Sequence, residues 1–134
     1  MREVLFRGKW TDNGEWIEGF YSAEEYNPYI DKIEYIPRIQ IIGKCVSLGV
    51  IPETVGQFTG LTDKNGKRIF EGDILTLENE GIYAAVKYNE SKAAFYVEDE
   101  DHEDYLGESW ETNVIIIGNI HDNSDILKGG GDNG

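Results

Sequence analysis

The sequence predicts a mainly β protein, a β-rich α+β chain with a hairpin-containing N-terminal region and a C-terminal half of short strands forming a small barrel or roll. Three observations predict it. Short apolar runs recur along the chain with a two-residue period. Turn residues punctuate them at close spacing, above all after Phe70. No stretch sustains a helical period; only two segments, each of one or two turns, carry helix-start signals.

From Arg2 to Lys9, Val4 and Phe6 alternate with Glu3, Leu5 and Arg7, which reads as a strand. Thr11-Asp12-Asn13-Gly14 follows, and Asn13-Gly14 suits positive φ at a tight turn. Glu15 to Tyr21 returns as a second strand, so the two form a hairpin flanked by Trp10 and Trp16. Ser22-Ala23-Glu24-Glu25 reads as a helix start, limited to one or two turns by Asn27-Pro28. Tyr29 to Pro37 shows no sustained period and reads as irregular. Arg38 to Gly43 is a strand, and Val46 to Val55, broken by Gly49 and Pro52, is loop with short strand pieces. Thr62 to Lys67 is a turn cluster that Asp63 organises and Gly66 relaxes. Strands then follow at Asp73–Leu77, Ile82–Tyr88, Ala93–Val97 and Val114–Ile117. A last helical turn, Ser124 to Leu127, takes Asn123 or Ser124 as its cap. The expected division is 1–55, 56–127 and a flexible glycine-rich tail at 128–134.

The chain of 134 residues carries 26 acidic and 12 basic residues, a net charge of −14. Binding a nucleic acid requires cations that displace condensed counterions, so direct nucleic-acid binding is not expected. The acidic balance instead suits a protein partner with a basic surface. No segment is apolar enough to span a bilayer, and the N-terminal apolar stretch is too short for a signal peptide. The single cysteine, Cys45, suits a reducing compartment, and a cytoplasmic location is expected.

Glu98-Asp99-Glu100-Asp101-His102-Glu103-Asp104, continued by Glu108 and Glu111, is the densest charge run. Asp99, Asp101 and Glu103 have the opening spacing of an EF-hand loop, but Asp104 stands where glycine is required and Trp110 where the bidentate glutamate is required. The run is expected to be a solvated loop kept extended by like charges. Asp99, Asp101, Glu103, Asp104 and Trp110 are its candidate contacts for a basic partner. Two distant histidines, His102 and His121, and one cysteine supply no zinc pattern, and no cofactor is expected. Cys45 lies among apolar residues and is expected to be a small buried hydrophobe. Gly66-Lys67 is followed by Arg68, not by the Ser or Thr of a phosphate loop. Lys64, Lys67 and Arg68 form a basic island that offsets Asp63, Glu71 and Asp73. Three tryptophans and eight tyrosines supply material for a recognition face; any exposed cluster of them marks a binding or oligomer surface.

Thr54 to Ile74, reading TVGQFTGLTDKNGKRIFEGDI, resembles the YopX family of phage and prophage proteins. Phe6-Arg7-Gly8-Lys9 with Asn13-Gly14-Glu15-Trp16, Pro52-Glu53, and Ile117 to Asn123 agree in order. The resemblance implies a two-part architecture whose C-terminal half is an SH3-like β-barrel, and a mobile-element origin. It transfers no catalytic residues. The leading expectation is therefore a noncatalytic protein-binding or assembly module that forms a homo-oligomer. An acidic mimic of DNA that occupies a nucleic-acid-binding protein is the second, and an enzyme using carboxylates of 98–111 with His121 is the third.

Overall fold

The computed structural model describes residues 4–77, 83–98, 103–105 and 114–129, with the backbone alone at 103–105 and 127–129. The protein is mainly β and divides into two compact units, Met1–Phe58 and Thr59–Gly134.

The first unit contains β1 (Phe6–Lys9), β2 (Trp16–Asn27), β3 (Lys32–Ile41), β4 (Ser47–Gly49), a short 3-10 turn (Pro52–Thr54) and the start of β5 (Gly56–Thr62). Their hydrogen-bonded order is β4-β3-β2-β1-β5, antiparallel throughout. The β1–β2 hairpin turns where the sequence predicts. Asn13 Oδ1 accepts from the Glu15 N–H at 2.9 Å, Gly14 holds φ 76, and its N–H donates to the Trp10 carbonyl at 2.8 Å. Leu5, Ile39 and Val50 are buried. Gly8 lets them close: a Cβ there would lie 3.2 Å from Val50 Cβ and 3.4 Å from Ile39 Cδ1.

Two expectations fail in this unit. Ser22–Glu25 is not a helix start but the middle of β2, and Tyr29–Pro37 is not irregular, because Lys32 onward belongs to β3. A bulge explains both. The β2–β3 register shifts between Ser22↔Arg38 and Glu24↔Tyr35, so two residues of β3 face one of β2. The extra residue breaks the two-residue period, and it accommodates Pro37, which lacks the N–H that an unbroken ladder needs. Glu25 stands directly opposite Glu34, a like-charge pair that disfavours pairing. Arg38 Nε lies 3.2 Å from Glu25 Oε1, and Asn27 Nδ2 donates to Glu34 Oε2 at 3.0 Å. These contacts offset the repulsion that composition alone would suggest.

In the second unit the end of β5 pairs with β6 (Arg68–Phe70). A five-stranded antiparallel sheet follows, built from β7 (Asp73–Leu77), β8 (Tyr83–Asn89), β9 (Ala94–Glu98), β10 (Glu103–Tyr105) and β11 (Val114–Asn119) in the order β10-β9-β8-β7-β11. Among the described residues β10 and β11 are the two ends of this sheet, so its order is open rather than closed into a barrel. Ile69, Leu75, Ala84, Val86, Val97 and Val114 form its buried core, with Leu77, Phe95 and Ile116 packed against them. The four strands expected after Phe70 are present as β7, β8, β9 and β11. The terminal helix α1 runs Ser124–Gly129, so Lys128 and Gly129 belong to it and not to a tail.

Candidate functional site

The motif from Thr54 to Ile74 builds structure. Thr54 Oγ1 accepts from the Lys9 N–H at 2.8 Å and donates to the Ile51 carbonyl at 2.6 Å, tying the 3-10 turn to β1. Asp63 is 7% exposed. Its Oδ1 accepts from the Asn65 and Lys67 N–H groups at 2.8 and 2.9 Å, and its Oδ2 accepts from the Ile116 N–H at 3.1 Å. One carboxylate thus shapes the turn and pins it to β11. Burial alone would raise its pKa. The backbone donors of Lys67, Ile116 and Asn65, helped by the Lys67 charge, outweigh burial and hold the carboxyl below its ordinary range. Asp73 is also buried, and its Oδ2 accepts from the Phe70 N–H at 2.7 Å. Between them Gly72 takes φ 95, donates to the Val86 carbonyl and accepts from the Ile120 N–H. Ile69 and Phe70 are buried, as expected of residues entering the core of this unit.

Asn119 organises the end of β11. Its Oδ1 accepts from the His121 and Asp122 N–H groups, both at 2.9 Å, and its own N–H donates to Asn123 Oδ1 at 3.2 Å. His121-Asp122-Asn123 therefore ends the strand and leads into α1.

Of the acidic candidates, Asp99, Asp101 and Trp110 lie outside the described residues. Glu103 and Asp104 stand on the backbone of β10, which pairs with β9 as Glu103↔Glu98 and Asp104↔Val97. That part of the run is a strand and not the extended loop expected of it, because a paired edge of the sheet offers its backbone hydrogen bonds. Among the described residues no group of three or more His, Cys, Asp or Glu is placed to hold a metal. Cys45 is exposed, not buried as expected, because it falls in the turn between β3 and β4.

An exposed apolar cluster lies elsewhere, on the far half of the β2–β3 hairpin. β1 pairs with β2 only at Trp16–Gly19, and β4 pairs with β3 only at Arg38–Gln40. Beyond these contacts, Ser22–Asn27 and Lys32–Ile36 form a two-stranded ribbon among the described residues. Tyr26 faces Ile33 and Glu24 faces Tyr35, so Tyr26, Ile33 and Tyr35 share one surface. Ile33 is 67% exposed and Tyr29, at the tip, 94% exposed; Ile30 and Tyr35 are exposed too. The ribbon is nonetheless internally ordered. The Tyr26 hydroxyl donates to Asp31 Oδ1 at 2.6 Å, which raises the phenol's pKa. Tyr21 is pushed up to about 12 by burial and then by its hydrogen bond with Tyr35. The sequence supplied the signal, since four of the chain's eight tyrosines fall between positions 21 and 35, but it did not place them on one surface. At the opposite end of β2, the Arg7 guanidinium lies 4.6 Å over the Trp16 ring.

These features define an antiparallel β protein of two small units in which the polar motif residues serve the fold and a protruding ribbon carries the exposed apolar side chains. A family model, the YopX protein, matches residues 5–128, and the chain belongs to that family. It is also similar in fold to the crystal structure of protein EF1440 from Enterococcus faecalis, at 22% identity and a TM-score of 0.52, covering 95% of this chain and 99% of that one. No curated protein matches. No helix among the described residues is long and apolar enough to cross a membrane.

Proposed function

We propose that this protein is a noncatalytic binding or assembly module of a phage-like element, acting in the bacterial cytoplasm, and that the β2–β3 ribbon is its contact surface. One observation carries the reading: Tyr26, Tyr29, Ile30, Ile33 and Tyr35 expose large apolar area on a ribbon with no flanking strand among the described residues. An isolated two-stranded ribbon is marginal in water, and a contiguous exposed apolar patch is typical of an interaction site. The second unit serves as the scaffold; its short antiparallel strands and single apolar core support that part. The acidic segment with Asp99, Asp101, Glu103, Asp104 and Trp110 supplies an electrostatic contact for a basic protein surface.

Site-specific photo-cross-linking tests the assignment. A cross-linking residue is placed at Tyr29, at Ile33 or, as a control, at exposed Asp12 in the β1–β2 turn, and cells producing each variant are irradiated. Defined protein adducts at Tyr29 and Ile33 and none at Asp12 are expected. Equal adducts at all three positions, or none at the ribbon, would overturn the assignment.

A further inference from the structure

We infer that the ribbon's occupant is a second copy of this chain, joined edge to edge through β3 about a two-fold axis at Ile33. The inference rests on the reading of the ribbon as a contact surface and specifies the partner.

The argument starts from the free edge. β4 covers β3 only at Arg38–Gln40, and on the edge away from β2, Lys32–Ile36 has no strand beside it among the described residues. Proteins commonly protect such an edge with charges that repel another edge. Here the edge carries Lys32 and Glu34, opposite in sign and two residues apart, so they share a face. Two copies of one strand paired antiparallel about an axis normal to the sheet must match residues of equal parity. Centring the axis on Ile33 places Ile33 opposite its own mate, Lys32 opposite Glu34 of the second copy, and Glu34 opposite Lys32. Centring it on Glu34 places two glutamates face to face. Centring it on Tyr35 places Lys32 opposite Arg38. Centring it on Ile36 would set Glu34 opposite Arg38, but β4 already covers that edge at Arg38. The charges and the β4 contact together therefore select one register. β2 offers no equivalent, since its far half carries Glu24 and Glu25 and no cation.

The same register joins the exposed side chains. Tyr26 already faces Ile33 within one hairpin. Pairing at Ile33 extends this into a row across four strands: Tyr26, Ile33, the second Ile33, the second Tyr26. The other face carries Asn27 and Lys32 of one copy beside Glu34 and Glu25 of the other. The chain's charge of −14 opposes association only weakly at this range, because physiological salt screens charges beyond about 8 Å. An isologous contact closes on itself, so an edge specified this way yields a dimer and not a fibre.

Two experiments on the full chain test this. Sedimentation equilibrium in about 0.15 M salt compares the wild type with Lys32→Glu, Glu34→Lys and the double exchange, each checked for fold by circular dichroism. Each single exchange sets like charges opposite in two symmetric pairs, so dimer dissociation constants should rise about tenfold or more, and the double exchange should return close to the wild-type value. Second, in a Cys45→Ser background, Ile33→Cys should form an intermolecular disulfide on mild oxidation, because facing Cα atoms of antiparallel strands lie about 4.5 to 5.5 Å apart. Lys32→Cys should form far less. A monomeric wild type, a dimer indifferent to the exchanges, or equal oxidation at both positions would overturn the inference. If cross-links from Ile33 reach a different protein while the chain stays monomeric, self-pairing falls and the contact surface stands.

Discussion

Replacing Asp63 by Asn isolates one oxygen atom. Asn keeps an Oδ1 able to accept from Asn65 and Lys67, but its amide nitrogen takes the place of the Oδ2 that accepts from the Ile116 N–H at 3.1 Å. Two donors then face each other at a position 7% exposed. The loss of one charge-assisted hydrogen bond in such a site costs about 2 kcal/mol. Urea titration at pH 7 should read this as a midpoint lowered by about 1 M. The pH dependence gives a second reading. The folded-state pKa of Asp63 is depressed, so its contribution is complete above the unfolded-state value of about 3.9 and is lost as pH falls through the lower folded-state value. The gap between wild type and Asp63→Asn should therefore close on acidification. A difference below about 0.5 kcal/mol at pH 7, or one that widens in acid, would refute the assignment of Asp63 as the clamp between turn and strand.

The glycines of the first unit and the ribbon tyrosines give two more tests. Gly19→Ala drives a Cβ into the Gln40 carbonyl, whereas Gly14→Ala meets nothing within 4 Å and bears only the strain of φ 76. Denaturation should show a loss above about 2 kcal/mol for Gly19→Ala and about 1 kcal/mol for Gly14→Ala; equal losses would contradict the close β2–β3 approach at Gly19. Tyr35→Phe removes the hydroxyl bonded to Tyr21, so ultraviolet titration should show the Tyr21 phenol falling from about 12 toward its ordinary value while burial keeps it somewhat raised. An unchanged Tyr21 titration would remove the hydrogen bond between the two rings.

Much of the fold was legible because its signals are local. Asn13-Gly14 dictates a hairpin turn whatever surrounds it, and Thr62 to Lys67 bends the chain through its own Asp63 and Gly66. The strands after Phe70 were equally plain, since short apolar runs between polar turns have few other uses. The ribbon was not legible. Ser22-Ala23-Glu24-Glu25 has the local chemistry of a helix start, and only its pairing with Glu34 to Arg38 makes it extended. The bulge beside Pro37 erased the period that would have revealed β3. β6 is a three-residue strand, too short for any pattern to show. Cys45 is exposed despite its apolar neighbours in sequence, because those neighbours are turn residues at the surface.

The sequence by itself determined the β class, the principal turns, the family likeness and the strongly acidic charge, because composition and short-range turn chemistry act within a few residues. Only the tertiary structure decided that Asp63 reaches Ile116, 53 positions away. It alone aligned Tyr26, Ile33 and Tyr35 on one surface and left the edge bearing Lys32 and Glu34 without a neighbour among the described residues. Those facts depend on which strands pair and in what register, and register is set by contacts between residues distant in the chain.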